Sequence, residues 1–243
     1  MVYRKLYAGW QSNPEGFWMD AAKAIDWVKA PTKALNDARA PLYEWFTDGM
    51  VNTCWNAVDR HVEAGRGNQL AIIHESPVTH LRKGITYREL QTRVANLAGA
   101  LRAKGVGKGD RVIIYMPMVP EALEAMLACA RPGAIHSVVF GGFASGSLAT
   151  RIDDAKPKLI VSSDAGMRGG KAVPYKHLLD EAIELAEHKP AKVLMVDRGL
   201  DKEFNKVAGR DVDYATLRTQ FMDAQVPCEW MESNEPSYIL YTS

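Results

Sequence analysis

The chain has 243 residues, 47% hydrophobic and 24% charged, enough to bury a core as one large domain or two small ones. Its 30 Lys and Arg stand against 29 Asp and Glu, a formal net charge of +1, so the charge balance gives no support to nucleic-acid or membrane-surface partners. Three widely spaced cysteines are too few for a disulfide framework and fit a reducing compartment.

Met1–Tyr7 lacks the long apolar stretch of a secretory signal, and the apolar runs elsewhere are too short to span a bilayer. A cytoplasmic protein is the expectation. Residues 1–50 are dense in aromatics: Trp10, Phe17, Trp18, Trp27, Tyr43, Trp45 and Phe46. Asn13 before Pro14 reads as a helix N-cap. The segment is expected to be a helical and irregular extension whose rings pack into the core.

From residue 51, helices and strands alternate. Asn52 caps a helix to about Glu63, with Cys54, Val58 and Val62 on one face. Leu70–His74 is a strand. Thr86 and Glu89 form a capping box for a helix that ends near Gly105. Strands at Arg111–Met116, Ile135–Val139, Leu159–Val161 and Val193–Val196 are separated by helices starting at Pro120, Ser145 and Pro174. Asp213 caps a short helix, and Tyr238–Tyr241 is the last strand. Such alternation, with continuous apolar strands, predicts an α/β fold: a largely parallel sheet with helices on both faces.

Few segments carry chemistry. Phe140-Gly141-Gly142-Phe143 follows a strand, at the end where α/β proteins hold ligands. The glycines either let a ligand approach the backbone or make a tight turn. Arg168-Gly169-Gly170-Lys171 can converge two cations on one anion, or be a solvated basic loop. It is not a Walker loop, because Ala172 stands where Ser or Thr would bind magnesium. Gly105–Asp110 follows a helix and precedes a strand, so it reads as a turn. Ser145 reads as a cap, His136 as a satisfied core histidine, and Asp153-Asp154 as a solvated helix end. Cys54 and Cys129 read as buried free thiols. No His or Cys spacing indicates a metal site.

The ending Tyr238-Ile-Leu-Tyr-Thr-Ser243 resembles the opening of the phosphate-loop signature of the AMP-forming acyl-CoA synthetases. Tyr115–Met118, Leu127–Arg131, Gly133–Phe143 and Arg151–Pro157 are similar to the acetyl- and propionyl-CoA synthetase branch. Trp10–Trp18 looks like that branch's N-terminal extension. Phe143–Ser145, Ser163–Gly166 with Arg168–Lys171, and Val196–Leu200 lie closer to its propionate-activating members.

The resemblance implies two domains: residues 1–50 as an extension, and 51–243 as the first part of a large AMP-binding domain. It implies ATP, Mg2+ and CoA as co-substrates, with propionate or acetate as the acid. It implies that Phe140, Gly141 and Gly142 line the CoA adenine. Arg168, Gly169, Gly170 and Lys171 would meet CoA's phosphates, with Lys171 where acetyl-CoA synthetases often carry Arg. Thr242 and Ser243 would begin the ATP phosphate loop. No residue is assigned to adenylation catalysis or to a metal. The chain is expected to be the front part of a larger enzyme, inactive alone. A non-catalytic nucleotide-binding or regulatory piece is the reading of a different class.

Overall fold

The computed structural model describes residues 2–242. Two helices open the chain, α1 (Val2–Ser12) and α2 (Pro14–Ala22). The Asn13 side chain accepts from the Gly16 N–H at 3.0 Å, as its cap role requires. Short strands β1 (Leu35–Asn36), β2 (Glu44–Trp45) and β3 (Met50–Val51) follow. The aromatics of this region do not pack into the core as expected. Tyr3, Tyr7, Trp18, Tyr43 and Trp45 are exposed, and α1 buries none of its residues. The rings stack on one another instead, Tyr3 on Tyr7 and Trp18 against Trp45. The main neighbour of α1 is α2, and its apolar residues Val2, Tyr3, Leu6 and Tyr7 stay exposed.

Asn52 caps the helical segment 53–66 by accepting from the Trp55 N–H at 3.0 Å. The segment takes π-helical turns over Trp55–Asp59 and Val62–Arg66. An antiparallel hairpin comes next, β4 (Leu70–Ser76) with β5 (Leu81–Thr86). Its second strand escapes sequence reading because Leu81-Arg-Lys-Gly84 is exposed throughout and has no apolar alternation. The capping box of α3 (Tyr87–Ala103) is present with both reciprocal bonds.

The remaining elements are β6 (Arg111–Met116), α4 (Pro120–Ala130), β7 (Ile135–Phe140), α5 (Ser145–Ala155), β8 (Leu159–Ser163), β9 (Gly166–Arg168), β10 (Lys171–Val173), α6 (Tyr175–Leu185), β11 (Lys192–Val196), β12 (Asp211–Asp213), α7 (Tyr214–Gln220) and β13 (Met231–Glu232). Five strands form one all-parallel sheet in the order β12-β11-β8-β6-β7. The chain steps from β6 to β7 on one side, then crosses back to β8 on the other. The strand order therefore reverses between β6 and β8, as in doubly wound sheets. Val112, Ile114 and Met116 of β6 pack with residues of α3, α4 and α7, while Ile113 and Tyr115 pack with α5 and α6. Burial on both faces explains why this strand reads as an unbroken apolar run.

Two further expectations need correction. Tyr238–Tyr241 is not a strand: among the described residues of this run only Tyr238 forms a parallel bridge, to His136 on the β7 edge. Beyond it the Tyr241 hydroxyl donates to Asp154 at 2.5 Å, with Arg151 over its ring. Asp154 is thus a hydrogen-bond partner as well as a helix-end charge. Ser145 is not a cap either. Ala144 precedes the helix without a side-chain bond, and the Ser145 hydroxyl donates to Glu181 at 2.6 Å, tying α5 to α6.

Candidate functional site at the C-terminal edge of the sheet

Loops leaving the C-terminal ends of β7, β8 and β11 gather around Tyr175. A Cβ on Gly141 would overlap the Tyr175 phenol, and one on Gly166 would lie 2.5 Å from its hydroxyl. The tyrosine therefore bridges the Phe140–Phe143 loop and the start of β9. Its ring lies 5.1 Å from that of Tyr115, whose hydroxyl donates to the Phe143 carbonyl at 3.1 Å. Burial pushes the Tyr115 phenol up to about 12, so it stays a neutral donor. Gly141 thus has a packing reason to be glycine. Gly142 differs: its φ is +98° and its nearest neighbour is Val173, 3.9 Å from a built Cβ.

The basic segment is a hairpin and not a loop. β9 and β10 pair antiparallel, with Arg168 opposite Lys171. Gly169 and Gly170 form the two-residue turn with φ of +54° and +77°, the paired positive values of a type I′ turn. Open space surrounds both glycines. The turn holds two cations directly across from one another, both exposed. Neither has an ion pair or side-chain hydrogen bond among the described residues. Like charges directly opposite are unfavourable in a ladder, which a bound anion would relieve.

Arg198, just past β11, is a third cation of this edge. Its guanidinium donates to the Ala165 carbonyl at 2.9 Å. Burial raises the Tyr175 phenol, while Arg198 and then Arg168 pull it back down, so both act on the same ring. The buried Asp164 carboxylate accepts from the N–H groups of Arg198 (3.1 Å), Leu200 (2.7 Å) and Asp201 (3.2 Å), fixing the loop after β11 to β8. Arg198 was not singled out in the sequence. Its one signal is position: a cation two residues beyond an apolar strand.

Phe140 is 65% exposed at the end of β7, its ring edge-on to Phe143 at 6.1 Å. An exposed aromatic can stack a base, and unpaired cations can hold phosphates. Thr242 is exposed and belongs to no strand; Ser243 lies outside the described residues. His136 stacks on Tyr238 but is not satisfied, because its buried Nδ1 has no partner among the described residues. Burial lowers it to about 4, keeping it neutral.

As a class, the fold defines a doubly wound α/β protein, with exposed cations and an exposed aromatic at the C-terminal end of its parallel sheet. Residues 59–243 match the AMP-binding enzyme family, and residues 3–57 match the acetyl-coenzyme A synthetase N-terminus. The chain belongs to the AMP-binding enzyme family. Over its full length it is 53% identical to propionate–CoA ligase of Escherichia coli (strain K12) and 52% to that of Salmonella typhimurium. Over 241 residues it is 46% identical to the mitochondrial acyl-CoA synthetase short-chain family member 3 of Rattus norvegicus. The chain spans 38% of the length of the two bacterial ligases and 35% of the rat protein. Among the described residues, no helix is long and apolar enough to cross a membrane.

Proposed function

We propose that this chain is the N-terminal part of an AMP-forming short-chain acyl-CoA synthetase, carrying half of its CoA site. The complete enzyme joins propionate to ATP, releasing diphosphate and forming propionyl-adenylate. The CoA thiol then attacks the acyl carbon and AMP leaves. Mg2+ accompanies ATP, and no residue of this chain is assigned to it. Arg168 and Lys171 meet CoA phosphates, Phe140 stacks on the adenine, and Gly142 leaves the approach open. Gly169 and Gly170 act through the turn that pairs the two cations. Thr242 and Ser243 begin the ATP phosphate loop. Residues 1–50 form an extension to an AMP-binding domain that starts at 51, and the protein works in the cytoplasm.

The observation that carries this reading is the unpaired Arg168–Lys171 pair, held opposed on a hairpin whose first residue, Gly166, packs on the same Tyr175 as Gly141 of the loop that exposes Phe140. In the complete enzyme, Arg168→Ala is expected to weaken CoA binding by roughly 1.5–3 kcal/mol, the scale of a charged hydrogen bond. Acid-dependent exchange of diphosphate into ATP should be nearly unchanged. Equal loss of both half-reactions would assign Arg168 to the fold instead. The match of residues 3–57 to the acetyl-coenzyme A synthetase N-terminus keeps acetate as a second reading. A clear preference for acetate over propionate in turnover would replace the first with it.

A further inference from the structure

Far apart in sequence, Cys54 and Cys228 meet beside a buried ion pair. Their sulfurs and an Asp59 carboxylate oxygen lie within 4.8 Å of one another. Each thiol is 3.7 Å from Asp59 Oδ2. Both Asp59 oxygens are held by the Arg131 guanidinium, at 2.8 and 2.9 Å. Arg131 Nη1 is also 3.5 Å from the Cys54 sulfur, and its Nε donates to the Val226 carbonyl. Cys54 is fully buried, whereas Cys228 is half-buried. Gln91, Arg131 and Pro227 line a cavity of about 460 Å³ that opens to one side of the cluster, and Gln91 reaches Asp59 at 2.9 Å.

We propose that Cys54 and Cys228 form a reversible disulfide, a modification site that fastens the helical segment 53–66 to the irregular run before β13. A metal site is the competing use of the same three ligands. The bidentate guanidinium opposes it, since it fills the carboxylate and adds positive charge where a cation would sit. Neutral thiol oxidation carries no such penalty. The less buried Cys228 reacts first: its thiolate attacks a low-molecular-weight disulfide such as glutathione disulfide, breaking that S–S bond and expelling one glutathione thiolate. The Cys54 thiolate then attacks the Cys228 sulfur and expels the second glutathione. Two protein thiols are oxidised, one small disulfide is reduced to two thiols, and the two thiol protons pass to the departing thiolates. A hydrogen bond to Cys228, together with burial, raises the Cys54 thiol, so the second step is the slower one. The Arg131 guanidinium, 3.5 Å from the Cys54 sulfur, favours its thiolate.

The local wiring says what the bond would lock. Asn52 donates to the Glu229 carbonyl at 2.6 Å, and β13 pairs with β3. The rings of Trp55 and Trp230, each beside this site in sequence, lie 5.7 Å apart. The test is to incubate the reduced protein with glutathione disulfide, alkylate under denaturing conditions, and map peptides by mass. A Cys54–Cys228 linked pair, reversed by dithiothreitol and accompanied by lower tryptophan fluorescence, is expected, with Cys129 left as thiol. Cys54→Ser should stop the reaction at a glutathione adduct on Cys228. If both thiols remain alkylatable, or the wild-type protein stops at the Cys228 adduct, the proposal is overturned. Stoichiometric Zn2+ binding that protects both thiols would equally overturn it in favour of a metal site.

Discussion

Gly141 and Gly142 are neighbours with the same side chain and different reasons for it. In the sequence both fit a loop opened for a ligand. In the structure the space beside Gly141 belongs to Tyr175, 34 positions later in the chain, and nothing local reveals that. Gly142 needs its identity because φ is +98° there. Gly141→Ala should therefore lower stability, by about 1–3 kcal/mol as overpacking in a filled site does. Urea denaturation would show a lower midpoint, and adding Tyr175→Leu should recover part of the loss through the shared contact. Loss of CoA binding with unchanged stability would return Gly141 to the ligand.

At the scale of elements, caps and strands with local signals were legible. Asn13, Asn52, Thr86–Glu89 and Asp213 cap the helices their spacing predicts. Elements without local signal were not. Leu81–Thr86 becomes a strand through its partner, β12 through β11, and the Arg168–Lys171 segment a hairpin through its turn. That hairpin places like charges face to face, a cost of roughly 0.2–1 kcal/mol relative to a neutral pair. Lys171→Glu converts repulsion to attraction. It should slow amide hydrogen exchange across residues 166–173 in the ligand-free protein while weakening CoA binding in the complete enzyme. A hairpin that exchanges no more slowly would mean that the two cations splay apart and do not share one anion.

At the scale of the whole molecule, the parallel sheet was readable because its central strands are buried on both faces and hence uniformly apolar. The edge was not readable, because a strand's last partner leaves no mark on its own sequence. Among the described residues the β7 edge carries only the single Tyr238 rung. Beside it Val138 is 40% exposed and Leu240 70%, and Phe140 and Tyr238 are exposed as well. An apolar edge with unpaired backbone groups is a template for another chain. The chain by itself should therefore associate as its concentration rises, seen as growing mass in multi-angle light scattering. Val138→Lys combined with Leu240→Lys should reduce it, because charge on an edge strand disfavours pairing. The aromatic surface of α1 and α2 is a separate exposed patch. If the double variant associates as strongly as the wild type, while Tyr3→Ser with Leu6→Ser does not, the contact runs through the N-terminal helices instead of the sheet edge. A monomer at every concentration would mean that neither apolar surface is sticky enough to hold a second chain.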